Sequence, residues 1–302
     1  MTLTDTTIDV RHLGRITYVA SQLLATEAGP VLLDTGPGST LDTLKAELDR
    51  LGVTVQDLHA ILLSHIHFDH AGATGLLLAE NPQITVYVHE LGAKHLIDPE
   101  KLVASATRIY GDSMDRLWGR FLPVPAERVR ALKGGETIRF GNRRFEVLHT
   151  PGHAVHLVGY FDVDDRTAYI GDNGGINVPA LPVTLPVSPP PDFNLEDWLK
   201  SLDGIEAWRP RRLFTTHYGF HDDPAAHLAD LRQGLLDWTE TARRLLAEDL
   251  PDAIRADRFN QHVLDGLADR ADPEAIRTAA DFSDFRASYT GLARYWKKKL
   301  GA

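Results

Sequence analysis

Ser64-His65-Ile66-His67-Phe68-Asp69-His70 follows the apolar run His59 to Leu63 and precedes the small-residue start Ala71-Gly72-Ala73. The run is short and flanked by turn residues, so it reads as a buried strand feeding a helix. In extended backbone, residues i and i+2 point the same way. His65 and His67 can therefore meet one metal ion, while the turn into the helix re-aims Asp69 and His70 toward a second. With 14 His in 302 residues, three His at these offsets arise by chance with a probability of roughly 0.03 along the chain, before the Asp is demanded. The segment reads as a ligand cluster.

One segment cannot complete a metal's coordination, so further donors are expected at other strand ends on the same rim. Three stretches offer them. Thr150-Pro151-Gly152-His153 follows the strand Arg144 to Leu148, with Pro151 and Gly152 bending the chain to present His153. Tyr169-Ile170-Gly171-Asp172 presents a carboxylate, and Thr215-Thr216-His217 an imidazole. Each alone reads more readily as a cap or a core hydrogen bonder; together with the first segment they form a set.

Around these residues the pattern alternates strand and helix. Ile16 to Asp34 holds two strands broken by Glu27-Ala28-Gly29-Pro30, and Leu41, Leu44, Leu48 and Leu51 mark a helix. A helix over Gly72 to Glu80 and a strand over Thr85 to Val88 follow, then a helix-rich stretch from Leu91 to Phe121. Its apolar residues Leu102, Ile109, Tyr110, Leu117, Trp118 and Phe121 read as core, with a pocket wall as the alternative. Strands return over Ile138 to Phe140, Arg144 to Leu148, His156 to Phe161 and Thr167 to Ile170. Val178 to Phe193 carries six prolines and reads as an irregular loop bordering the site. A helix over Leu195 to Trp208 and a strand over Arg212 to Thr216 close this part. A boundary is placed near residue 222, leaving 223–302 as a helical region whose stripe includes Leu228, Leu231, Leu235 and Trp238.

Composition narrows the function. There is no cysteine, so disulfides, thiolate ligands and thiol nucleophiles are excluded. A net charge of -10 opposes nucleic acid and anionic membranes as partners. Met1 to Gly14 lacks a cationic start and apolar core, and no apolar run nears the roughly 20 residues of a membrane span. The expectation is a cytoplasmic enzyme acting on a small molecule, self-association, if any, giving a homodimer.

The ordered set His65, His67, Asp69, His70, His153, Asp172 and His217, with Asp34-Thr35-Gly36 upstream, resembles the metallo-β-lactamase fold superfamily of hydrolases over roughly residues 15–222. The resemblance implies an α/β fold, a four-layer αβ/βα sandwich with a metal centre on one edge, carried by residues 1–222 and extended by C-terminal helices. It assigns His65, His67 and His153 to one metal, Asp69, His70 and His217 to another, and Asp172 to the bridge. Asp34 would hydrogen-bond a ligand imidazole or serve as a strand-end turn carboxylate. The cofactors implied are two divalent ions, zinc first, with iron or manganese as alternatives.

Departures from the pattern refine this. Lacking the Cys ligand of the best-known β-lactamases, and with Asp at 172, the chain is closer to the glyoxalase II, lactonase and phosphodiesterase branches. His67 stands where flavin-dependent di-iron relatives carry Glu. Gly175 stands where acyl-homoserine lactonases carry Tyr. Two divalent ions with Asp69, Asp172 and a bridging hydroxide leave the centre at about +1, enough to generate hydroxide near neutral pH. The expected reaction is attack of that hydroxide on a small ester, thioester or lactone, with Asp69 or a metal-bound water passing the proton to the leaving group. Tyr218 is a candidate substrate contact or a strand-end packing aromatic. A phosphodiesterase or nuclease, and a mononuclear iron persulfide dioxygenase, are the alternatives. The histidines at 89, 95, 149, 156, 221, 227 and 262 are expected to be solvated or to stand behind the ligands.

Overall fold

Successive residues of a strand face opposite sides of its sheet, and here both sides are apolar. In the computed structural model, which describes residues 3–179 and 181–301, Leu32, Ile61 and Val86 enter one core, while Val31, Leu33, Ala60 and Leu62 enter another. These residues belong to a sheet of six strands: β1 (Thr6–Asp9), β2 (Ala20–Leu24), β3 (Val31–Leu33), β4 (Ala60–Leu62), β5 (Thr85–His89) and β6 (Val129–Leu132), side by side in that order. β1 to β3 are antiparallel neighbours; β3 to β6 are parallel. Helices α1 (Leu41–Arg50), α3 (Thr74–Glu80) and α4 (Glu90–Ile97), the last two preceded by the single turn α2 (Phe68–Ala71), contribute Leu44, Leu48, Leu77 and Leu96 to the outer core of this sheet.

The second sheet is ordered β14-β13-β10-β9-β8-β7. Its strands are β7 (Thr137–Phe140), β8 (Arg143–His149), β9 (Val158–Asp162), β10 (Thr167–Tyr169), β13 (Arg212–Thr215) and β14 (Gly219–His221). Tyr160, Tyr169 and Phe214 meet the first sheet, while their neighbours Phe161, Ala168 and Leu213 meet the helices outside. The architecture is therefore the α/β four-layer sandwich that the resemblance implies.

The outer helices of the second sheet are α7 (Leu195–Ala207), α8 (Pro224–Leu246), α9 (Asp252–Ala268), α10 (Pro273–Phe282) and α11 (Phe285–Leu300). Residues before and after position 222 share one core there, with Trp198 and Leu202 beside Leu231, Trp238, Phe259 and Tyr289. Between α4 and β6 lie α5 (Glu100–Tyr110) and the single turn α6 (Met114–Leu117).

Three strands of the two large sheets escaped the sequence reading: β1, β6 and β14. All are sheet edges, where one flank lacks a partner strand and the apolar pattern thins. The Pro-rich stretch is not wholly irregular either, since β11 (Ile176–Asn177) and β12 (Thr184–Leu185) pair into a small ribbon. Ala180, inside that stretch, lies outside the described residues, as do Met1, Thr2 and Ala302. No helix among the described residues is long and apolar enough to cross a membrane.

Candidate metal centre

The chain leaving β3, β4, β8, β10 and β13 supplies Asp34, Ser64 to His70, His153, Asp172 and His217 at one edge of the sandwich. His67 keeps an extended backbone and caps α2, so Asp69 and His70 lie in the first turn after it. The extended stretch brings His65 Nε2 to 2.9 Å from His67 Nδ1. The bend before His153 requires glycine: Gly152 has φ 141°, and a Cβ there would stand 2.3 Å from the Trp198 Cβ. His153 Nε2 then reaches 3.0 Å from His67 Nδ1.

The donors fall into two groups, His65, His67, His153 and Asp172 in one and Asp69, His70 and His217 in the other, each with ligand atoms within 4.8 Å of one another. Asp172 faces both. Its Oδ2 lies 3.4 Å from His153 Nε2, and its Oδ1 lies 3.1 Å from His70 Nε2 and 3.6 Å from His217 Nε2. Asp69 Oδ2 is 3.3 Å from His217 Nε2. Every residue that the sequence nominated as a ligand is in this assembly.

Which nitrogen each imidazole offers is set by what holds the other. The His70 Nδ1–H donates to Asp34 Oδ2 at 2.7 Å, that of His153 to the Val187 carbonyl at 2.8 Å, and that of His217 to the Tyr18 carbonyl at 2.7 Å. His65 Nδ1 lies 3.1 Å from the Ser64 hydroxyl. All four rings thus turn Nε2 inward, while His67 turns Nδ1. Asp34, fully buried, also accepts from Ser64 N, Ser64 Oγ and Thr216 Oγ1 at 2.7 to 2.8 Å. It stands at φ 51°, a strained conformation for a non-glycine residue that the surrounding bonds hold.

These residues fit metal ions. His70 Nε2 and Asp172 Oδ1 are buried without a hydrogen-bond partner, close to each other yet misaligned for a bond. Three ring nitrogens with inward lone pairs converge on one point, which is repulsive unless a cation sits among them. Burial, with the neighbouring imidazoles, holds His65 well below its ordinary pKa and takes His67 down to about 3. Burial works to raise Asp69 and Asp172, but His70 and His217, with the other neighbouring imidazoles, together outweigh it and hold both carboxyls well below the usual range. Burial likewise opposes charge on His70, yet Asp172, Asp69 and Asp34 drive it well above its ordinary value. The site stabilises positive charge at its centre.

Other residues fall differently. The Tyr218 ring packs on the inter-sheet core, and burial, with the Asp9 carboxylate, raises its phenol above the ordinary value. Tyr18 is the tyrosine beside the cluster, its ring 6.0 Å from that of His217. His89, His156 and His227 are buried rather than solvated, and the His156 ring stands 5.6 Å from that of His67. Sequence reasoning missed Ser64, Thr216 and the carbonyls of Tyr18 and Val187. Ser64 and Thr216 adjoin nominated ligands, which was the available signal; the carbonyls leave none.

A family model described as the Metallo-beta-lactamase superfamily matches residues 15–217. A hydroxyacylglutathione hydrolase of Synechococcus sp. (strain JA-2-3B'a(2-13)) is 30% identical over 141 residues, 46% of this chain and 44% of that protein. A metallo-beta-lactamase fold-containing protein of Sulfurisphaera tokodaii is 29% identical over 170 residues, 54% of this chain and 61% of that one. The matches thus span less than two thirds of the length of these curated relatives. Among solved structures, a metallo-beta-lactamase family protein from Thermus thermophilus is similar in fold, with a TM-score of 0.69 at 22% identity, covering 94% of this chain and 89% of that chain. The family match, covering two thirds of the sequence, and the two donor groups on one sandwich edge lead to one conclusion: the chain belongs to the metallo-beta-lactamase superfamily.

Proposed function

We propose that this chain is a metallo-hydrolase that holds two divalent ions and hydrolyses a small ester, thioester or lactone. The observation that carries the reading is Asp172, whose two oxygens address the two donor groups separately. In this reading His65, His67 and His153 would hold one ion and Asp69, His70 and His217 the other, with the Asp172 carboxylate available to both groups. Zinc suits a set of neutral imidazoles and carboxylates best, with iron or manganese as alternatives. When bound, such ions lower the pKa of water and polarise a carbonyl.

The chain's own residues do the rest. Asp34 fixes the His70 tautomer and orientation, and the Tyr18 carbonyl does the same for His217. Asp69, whose side chain is 23% exposed, is the ligand carboxylate that solvent and substrate reach. It accepts the proton released as water adds to the acyl carbon and delivers it to the departing oxygen or sulfur once that bond breaks. The full donor complement of both groups supports two ions over one, and the -10 charge supports a small substrate over a nucleic acid. A cytoplasmic setting belongs to the same proposal. The name of the Synechococcus relative puts hydroxyacylglutathione thioesters among the candidate substrates.

The test is metal stoichiometry with ester and thioester turnover in the parent, His65→Ala and Asp172→Ala. Two ions are expected in the parent and about one in His65→Ala. Both variants should lose activity by on the order of 100-fold or more. Full metal content and turnover in both variants would refute the centre.

A further inference from the structure

Three donors end on one oxygen of Asp34. Its Oδ2 takes the Ser64 hydroxyl at 2.8 Å, the Thr216 hydroxyl at 2.7 Å and the His70 Nδ1–H at 2.7 Å. Ser64 has a single hydroxyl proton to place. Two oxygens this close tolerate each other only with a proton between them, and a carboxylate has none to give, so the serine proton points at Asp34. The Ser64 oxygen is thereby left as an acceptor. The ring nitrogen that faces it at 3.1 Å, His65 Nδ1, must then carry the imidazole hydrogen. One chain of bonds runs from His65 through Ser64 to Asp34 and on to His70, joining a ligand of each donor group.

Without that acceptor His65 has a competing arrangement. A histidine side chain in water carries its single hydrogen mainly on Nε2. Here His65 Nε2 faces His67 Nδ1 at 2.9 Å, a nitrogen able to accept that hydrogen. Such a bond would consume the donor lone pairs of two ligands at once, closing the group on itself. An acceptor at Nδ1 opposes it, because the hydrogen bond made by one ring nitrogen decides the state of the other. Ser64 is 1% exposed and His65 fully buried, so water does not stand in for the hydroxyl. Nor is there room for another side chain. Gly171, at φ 50°, packs so closely that a Cβ there would stand 2.7 Å from Ser64 Cβ and 2.8 Å from Ser64 Oγ. Gly171 immediately precedes Asp172, so Ser64 abuts the segment carrying the shared carboxylate as well.

We propose that Ser64 is a positioning residue that locks His65 in its Nδ1–H tautomer and so keeps Nε2 free for a metal ion. The lock draws on the same Asp34 oxygen that orients His70, so one buried carboxylate prepares an imidazole in each donor group. This rests on the reading of the two groups as a metal centre and is independent of the substrate.

The experiment records long-range proton–nitrogen correlation spectra of the imidazoles in metal-free, nitrogen-15-labelled protein near neutral pH, where burial keeps His65 uncharged. His65→Gln assigns the His65 signals. The parent should show hydrogen on Nδ1 of His65, and Ser64→Ala should move it mainly to Nε2. Thr216→Ala removes another hydroxyl from the same Asp34 oxygen and should leave the His65 tautomer unchanged. Stepwise zinc titration against a chromophoric chelator should show one site of Ser64→Ala weakened by about 10- to 100-fold. The other, where Asp34 still takes the His70 Nδ1–H, changes less. Hydrogen on Nε2 of His65 in the parent overturns the lock whether or not any variant folds. So does hydrogen retained on Nδ1 in Ser64→Ala, or a shift in Thr216→Ala equal to that in Ser64→Ala. None of these readouts uses turnover, so inactivity toward every ester and thioester sinks the hydrolase reading and leaves the lock standing.

Discussion

Asp34 touches no donor group directly except through His70, yet four hydrogen bonds end on its carboxylate. Replacing it with asparagine keeps the shape and removes the charge that holds the His70 Nδ1–H. The expected result for Asp34→Asn is metal affinity weakened by about 10- to 100-fold, read by competition with a chromophoric chelator, with little change in secondary structure. At this scale the sequence was legible where chemistry resides in a side chain. His65, His67, His153, Asp172 and His217 each follow a strand and carry donor atoms. It was not legible where a role belongs to a backbone carbonyl, as at Tyr18 and Val187, because a carbonyl leaves no mark on residue type.

The elements place those side chains through a few close approaches. Gly152 lies against Trp198 of α7, whose ring is 5.9 Å from that of His153. A methyl group at 152 meets the Trp198 backbone and suffers a positive φ as well. Gly152→Ala should destabilise the fold by roughly 1–3 kcal/mol and reduce metal retention by the group containing His153. Thermal unfolding and metal analysis check the two effects separately. Trp198→Ala, emptying a fully buried site, should cost about 3–5 kcal/mol, measured by denaturant unfolding. Central strands were readable because β3 and β4 are buried on both faces and run apolar without interruption, while β9 and β10 are buried throughout with a polar residue only at one end. Edge strands were not, since Thr6-Thr7-Ile8-Asp9 of β1 carries too little apolar pattern to separate it from a loop.

Across the whole molecule, the helical region after residue 222 and the second sheet are halves of one core. Ending the chain at 222 bares the outer faces of β9, β10 and β13, and the shortened protein should fail to accumulate as a soluble folded species, judged by soluble yield and circular dichroism. Acidity acts on this face too. Burial, and then His227, bring His221 down to about 4, so the unfolded chain binds a proton there that the native chain refuses. Stability from this residue is complete above the ordinary histidine pKa near 6.5 and falls as pH drops from there toward 4. In metal-stripped protein, His221→Gln should therefore lose less thermal stability between pH 7 and pH 4.5 than the parent does. The two donor groups also differ in when the growing polypeptide can finish them. His65, His67, His153 and Asp172 are all present once synthesis passes the second sheet's middle strands. His217 emerges only later, and its ring leans on Tyr18, whose phenol is in turn braced by Phe282 near the far terminus. A nascent chain can thus complete its first donor group well before it can complete the second.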